Sequence, residues 1–217
     1  MLCKGLHHAA FRRRDARETV DFYTEVLGLK FIHAMGEDHV PSTGAYSPHV
    51  HIFFEMEDGA CIAFFELPAD EGEQSGRDPG TPDWVQHFAF RVADKETVER
   101  ARESLLARGI PVVGPTNHDD FLYSIYFFDP SGHRLELTAV TATAKQDAQF
   151  RKEAMDVLRL WEKTHYWSQR ATLFGGAAGY RRERADQYMT SRFCIGNKPN
   201  YLTERRHSHE RQFLAVS

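Results

Sequence analysis

The sequence predicts an α+β fold built from two βαβββ modules, and three observations predict it. The phrase His-x-Ala-Phe-Arg occurs twice, within HHAAFR at 7–12 and QHFAFR at 86–91. Seven residues after each histidine comes an aspartate, Asp15 or Asp94, followed by Glu-Thr-Val at 18–20 or 96–98. Each copy then continues through one helix-like segment into three strand-like ones.

The elements follow in order. Asp15 and Asp94 are placed as helix N-caps, where a side-chain oxygen takes up a backbone N–H that has no partner inside the helix. The first helix reads ARETVDFYTEVLG, with Val20, Phe22, Tyr23, Val26 and Leu27 on one face and Gly28 ending it. The second reads KETVERARESLLARG, with Val98, Ala101, Leu105 and Leu106 as its stripe and Gly109 at its end. Strand-like runs follow the first helix at 29–35, 49–56 and 60–67, and the second at 110–115, 124–129 and 133–140. Glu57-Asp58-Gly59 marks a tight hairpin, and Asp129-Pro130-Ser131-Gly132 marks a turn before the last strand. The modules therefore span 1–67 and 84–144, joined by a linker rich in Gly, Pro and acid at 68–83. Residues 145–217 form a C-terminal extension, helical or disordered. Its part 145–167 reads as a helix with Met155, Leu158 and Trp161 on one face. Its part 168–217 carries eight arginines and one lysine against four acids.

Composition narrows the classes. A net charge of −4 gives no whole-chain attraction to nucleic acid, and the basic tail lacks an aromatic–basic motif that would supply one. Cys3, Cys61 and Cys194 are odd in number and lack a CxxC pair, which argues against a disulfide framework or zinc ribbon and fits a reducing compartment. No run approaches the ~18 apolar residues of a membrane span, and the opening MLCKGLHHAAFRRRD has no apolar signal segment. The expected location is the cytoplasm.

Alternate residues of a strand share a face, so His8, Ala10 and Arg12 point one way, and His87, Ala89 and Arg91 do the same in the second copy. The last strand of each module carries a glutamate within an apolar run, Glu66 in Phe65-Glu66-Leu67 and Glu136 in Leu135-Glu136-Leu137. A carboxylate there is costly to bury unless paired or bound to a cation. Two imidazoles and one or two carboxylates that converge make a divalent-metal site of mixed nitrogen and oxygen donors.

These features resemble the vicinal oxygen chelate superfamily of glyoxalases, bleomycin-resistance proteins and extradiol dioxygenases. HHAAFRRRDARETVDFYTEVLGL is similar to the family's opening strand and helix, and FFDPSGHRLELT to its closing hairpin. The resemblance covers about residues 5–140. It implies an open, cup-shaped sheet with a metal held by His8, His87 and Glu136, and Glu66 standing where glyoxalase I has an additional ligand. It implies a small-molecule substrate with vicinal oxygens, and a cup closed within one chain or across a homodimer. TNHDDFLYSIYFFDPSGHRLE (116–136) further resembles the extradiol dioxygenase signature, which implies catalytic roles for His118 and Tyr126 and a requirement for Fe(II) and O2.

Two departures favour another reading. Those dioxygenases carry a histidine near the place of Ala60, and they lack a carboxylate at the place of Glu66. With Glu66 as ligand or base, the resemblance implies instead a glyoxalase- or epimerase-like isomerase or lyase using Ni, Zn, Co or Mn, in which Arg12 and Arg91 could meet substrate carboxylates. A metal-free ligand-sequestering protein, the third class in the family, does not call for the full ligand set.

Overall fold

The computed structural model describes residues 2–68 and 80–165. Most of the linker expected at 68–83 and the basic tail from 166 onward, Cys194 included, lie outside the described residues. The first module runs β1 (His8–Arg13), α1 (Ala16–Glu25), β2 (Lys30–His39), β3 (Tyr46–Glu55) and β4 (Cys61–Glu66). The second runs β5 (His87–Arg91), α2 (Lys95–Ala107), β6 (Val113–His118), β7 (Leu122–Phe128) and β8 (Arg134–Val140), and α3 (Ala144–Thr164) follows. Each module forms a four-stranded sheet of the same topology, β1-β4-β3-β2 and β5-β8-β7-β6. In each, the first and last strands pair in parallel and the others antiparallel.

Local chemistry sets the element ends. Asp15 accepts from Glu18 N at 2.9 Å and Asp94 from Thr97 N at 2.8 Å, both with extended backbone at the cap. Gly28 and Gly109, with φ of 72° and 76°, take the left-handed turn just beyond the helices. The β2–β3 hairpin extends beyond the runs at 29–35 and 49–56, because its added residues, Gly-Glu-Asp-His at 36–39 and Tyr-Ser-Pro at 46–48, carry no apolar alternation to read. The strand expected at 110–115 begins instead at Val113 and ends at His118. Gly114 and Pro115 sit in a register break of this edge strand, where proline's missing N–H costs no ladder bond. A side chain at Gly114 would bring a Cβ to 2.9 Å from the Ser124 carbonyl.

The period-2 alternation sends two sets of side chains to opposite faces. Phe22 and Tyr23 of α1, Val98 and Leu105 of α2, and Ile52, Phe54, Ile62, Phe64, Ile125, Phe127 and Leu135 of the sheets make one core on the helix-bearing side. Both modules contribute to it. Phe11 and Phe88 meet with ring centroids 4.3 Å apart, and His133 packs against Phe11, Phe64 and Phe88. Burial lowers the His133 pKa, and its Nε2 lies 3.1 Å from the Arg12 carbonyl.

A buried ion pair ties the modules together. Arg13, at the end of β1, donates from Nη1 to Asp129 Oδ2 at 2.5 Å, and both side chains are fully buried. Arg13 Nε donates to Thr19 at 2.8 Å, and its guanidinium lies 4.9 Å from the Phe64 ring centre. Asp129 Oδ2 also accepts from Tyr23 at 2.9 Å, while Oδ1 accepts from Ser131 N and His133 N at 3.0 and 2.9 Å. Burial and the Asp129 charge push the Tyr23 pKa well up, so the phenol stays a donor. Removing one partner of such a pair leaves an uncompensated buried charge, at about 3–5 kcal/mol. Arg13→Met is expected to lose about that much unfolding free energy in urea titration. A loss below about 1 kcal/mol would show that Asp129 is satisfied by Tyr23 and the turn alone.

Candidate metal centre

The face of each sheet away from the helices carries the candidate site. In the second module, β8 pairs His87 with Arg134 and Ala89 with Glu136, and β7 pairs Tyr126 with Glu136. His87, Arg134, Glu136 and Tyr126 thus share one face of three adjacent strands. His87 Nε2 lies 3.0 Å from Glu136 Oε2. The other ring nitrogen, Nδ1, donates to the Val85 carbonyl at 3.0 Å. A carbonyl can only accept, so in the neutral ring Nε2 carries the lone pair, as a metal ligand must. Glu136 is buried and His87 is about one-third exposed. This nitrogen–oxygen pair fits a divalent cation, with an oriented imidazole, a carboxylate and access from one side.

His118 and Tyr126, the two residues that the signature resemblance singled out, lie against each other. His118 Nε2 and Tyr126 Oη are 2.7 Å apart, although eight residues separate them in the chain. Burial, then the nearby Glu136 charge, raises the Tyr126 pKa, so the phenol holds its proton at neutral pH. The Arg134 guanidinium lies over the Tyr126 ring, 4.2 Å from its centre.

His8 stands apart from this group. Its ring contacts His7, His51 and Phe53 of its own module, with centroids 5.0, 6.1 and 5.4 Å away. His7 Nδ1 lies 2.8 Å from His8 Nδ1. Among the described residues no three His, Cys, Asp or Glu side chains converge as a metal cluster requires. One chain therefore presents two separate parts, His87–Glu136 and His8.

Glu66 occupies a different place from the one its sequence context implied. The parallel register pairs Ala10 with Ala63 in the first module and Ala89 with Glu136 in the second. Ala63, not Glu66, is the counterpart of Glu136. The three-residue offset reverses parity, so Glu66 shares the helix side with Ile62 and Phe64. There its carboxylate accepts from Ala16 N at 2.5 Å, in the first turn of α1, where negative charge is favoured. In this structure Glu66 thus stands on the helix side, away from the face that holds Glu136.

Two residues that sequence reasoning passed over belong to this face. One is Arg134. The other is His51, whose ring stacks on Phe65 at 3.7 Å and whose Nε2 has no hydrogen-bond partner among the described residues. Burial first, then the charges of His8, His49 and His33, lowers its pKa to about 4. The signal was His-x-His at 49–51, an alternation that puts both rings on one face of β3.

The comparisons with known proteins agree with this architecture. The model of the Glyoxalase/Bleomycin resistance protein/Dioxygenase superfamily matches residues 5–137, more than half of the chain, and the chain belongs to that superfamily. It is 27% identical to MhqA of Bacillus subtilis, a protein provisionally named a ring-cleaving dioxygenase, over 64% of this chain but only 41% of that protein. It is 28% identical to the glutathione transferase FosA of Serratia marcescens over 66% of this chain and 86% of the relative. It is 27% identical to the 2-epi-5-epi-valiolone epimerase of an Actinomyces species over 76% and 91% of the two chains. A solved structure of FosX from Listeria monocytogenes with Mn(II) aligns over 68% of this chain and 99% of its own, at 23% identity and a TM-score of 0.48. No helix among the described residues is long and apolar enough to cross a membrane.

The reassignment of Glu66 has a direct test. Glu66→Ala removes a helix N-terminal acceptor and is expected to lower unfolding free energy by about 1 kcal/mol. Metal stoichiometry, measured by elemental analysis, should not change. Loss of bound metal would return Glu66 to the ligand set.

Proposed function

We propose that this chain is an extradiol-type dioxygenase, cleaving a catecholic ring with Fe(II) and O2. The observation that carries the reading is the His118–Tyr126 pair, 2.7 Å apart on the face that holds Glu136. The position of Glu66 supports it as well. With Glu66 engaged by α1, the protein donors reduce to His8, His87 and Glu136, a two-histidine, one-carboxylate set typical of non-haem iron(II) oxygenases. Held by these three residues, the ion would keep room for a substrate that binds through two oxygens and for O2.

His8 would be supplied by a second copy of the chain. Both parts of the site lie on the cup faces, and β2 is exposed along its whole length, with the apolar Met35 paired with His51 on that face. A twofold dimer that packs the first module of one copy against the second module of the other covers these faces and joins His8 to His87 and Glu136.

The roles of the chain's own groups follow from their chemistry. Glu136 and the Nε2 of His87 would hold the metal, and the Val85 carbonyl keeps that imidazole in the ligating tautomer. Bound there, iron(II) supplies Lewis acidity toward the substrate hydroxyls and a redox path to O2. Tyr126, protonated at neutral pH, offers a hydrogen bond beside the carboxylate ligand, and His118 orients the phenol and can accept or return its proton. The wall of the first module brings His51, a neutral imidazole beside His8.

The isomerase reading loses its extra carboxylate but keeps a relative, the epimerase, so both chemistries are measured together. Anaerobically purified protein is expected to retain iron and consume O2 with a member of a catechol panel. Nickel, zinc or cobalt with no O2 uptake would overturn the dioxygenase assignment. The shared site has its own test. His8→Ala and His87→Ala should each be inactive, while subunits mixed under dissociating conditions recover about a quarter of wild-type turnover, since half the dimers then hold one intact site. No recovery, with mixed dimers shown to form, would place all ligands within one chain.

A further inference from the structure

The second module's half of the cup carries more positive charge than a metal site with a neutral substrate accounts for. Read along the paired strands, this face presents His87, Ala89 and Arg91 from β5, Arg134, Glu136 and Thr138 from β8, and Leu122, Ser124, Tyr126 and Phe128 from β7. Glu136 is the one carboxylate among these positions, and it is committed to His87. Ser124 and Thr138 bond to each other at 2.8 Å.

Arg134 is the side chain to which this imbalance leads. It is held in place from below, because its guanidinium stacks over the Tyr126 ring at 4.2 Å. It is desolvated in part, because its Nε is buried and meets no hydrogen-bond acceptor among the described residues. The strand register places it in line with His87 and two positions from Glu136. A planar guanidinium whose face rests on an aromatic ring keeps its edge N–H groups free to pair with two oxygens at once. A cation in this setting next to a divalent metal is unfavourable unless an anion joins them. Glu136, the one carboxylate among these positions, would be taken up by the metal and His87, so Arg134 has no anion of its own on this face.

We propose that Arg134 is the anion-binding residue of this site, and that the substrate bears an acid group, ionised at neutral pH, adjacent to its two vicinal oxygens. This rests on the vicinal-oxygen reading above and narrows it to one substrate class. The two oxygens address the metal, and the acid group is received by Arg134 on the His87 side. Tyr126 serves both parts, as the platform under the guanidinium and as the phenol beside Glu136. The arrangement selects against neutral catechols of similar size, since these leave the guanidinium desolvated and unpaired.

The test uses full-length protein loaded with Mn(II) under anaerobic conditions, so that no O2 is available for ring cleavage, and isothermal titration calorimetry with 2,3-dihydroxybenzoate and its neutral methyl ester. Wild-type protein is expected to bind the acid about tenfold to a hundredfold more tightly than the ester. In Arg134→Met that ratio should fall to near one, and in Arg134→Lys, which keeps the charge without the fork, to an intermediate value. Circular dichroism and retained Mn(II) confirm that each variant is folded and loaded. A wild-type ratio near one would overturn the acid-group proposal while leaving the vicinal-oxygen reading in place. A ratio that persists in Arg134→Met would overturn the role of Arg134. Failure of both probes to bind loaded wild-type protein would overturn the vicinal-oxygen reading, and this proposal with it.

Discussion

The carboxylate of Asp129 is the constraint on which the arrangement depends. One of its oxygens closes the turn into β8 by accepting from Ser131 N and His133 N, and so fixes where Arg134 and Glu136 emerge. The other accepts from Arg13 of β1 and from Tyr23 of α1. The strand that begins with His8 is thereby pinned to the turn that precedes Glu136, across more than a hundred residues of chain. Such a pair is not a source of stability relative to well-packed apolar residues of the same volume, because both charges must be stripped of water. What it supplies is discrimination. Packing the modules in any other register leaves a guanidinium or a carboxylate buried alone. Hydrophobic contacts such as Phe11 against Phe88 hold the modules together but do not choose among registers so sharply.

Much of this was legible in the chain, for physical reasons that also explain the failures. The caps at Asp15 and Asp94, the left-handed glycines and the DPSG turn are local signals, and local signals determine local structure. The two-module fold followed from the repeat, and the superfamily from the resemblance carried by the opening strand and helix and the closing hairpin. The strand at 110–115 was misplaced because Gly114 and Pro115, which look like a terminus, sit within a register break of an edge strand. Glu66 was misread because the Phe-Glu-Leu and Leu-Glu-Leu echoes invite alignment, whereas equivalence is set by hydrogen-bond register with the first strand. A shift of three residues is an odd number, so it sends the side chain to the other face. Arg13 was hidden for another reason. It lies within RRRD, which reads as solvated charge until a partner 116 residues away is known.

The parity of β1 divides its labour. Phe11 and Arg13 face the helices and make the joint between modules, while His8, Ala10 and Arg12 face the cup. In β5, Phe88 and Phe90 face the core and His87, Ala89 and Arg91 the cup. The repeated phrase is thus a two-sided instruction, with packing written in one set of alternate residues and chemistry in the other. This explains why the phrase recurs as a unit. A duplicated module needs the aromatic residues to build the shared core before its histidine can be aimed.

The same division limits what one chain can do alone. The modules pack through their helix sides, and that packing consumes Phe11, Phe88 and Phe64 together with the Arg13–Asp129 pair. Among the described residues it leaves each module's cup face without a partner, with His8 on one and His87, Glu136, His118 and Tyr126 on the other. Bringing His8 to Glu136 within the chain would require breaking that buried joint, at a cost of several kcal/mol. In the proposed dimer a second copy would supply it at the cost of association alone, and would cover Met35, an exposed apolar side chain paired with His51 on the cup face. The energetics of the Asp129 hub and the incompleteness of the metal centre are therefore linked. On the proposed ligand set, a joint strong enough to fix Glu136 would also leave His8 to be supplied by a second copy.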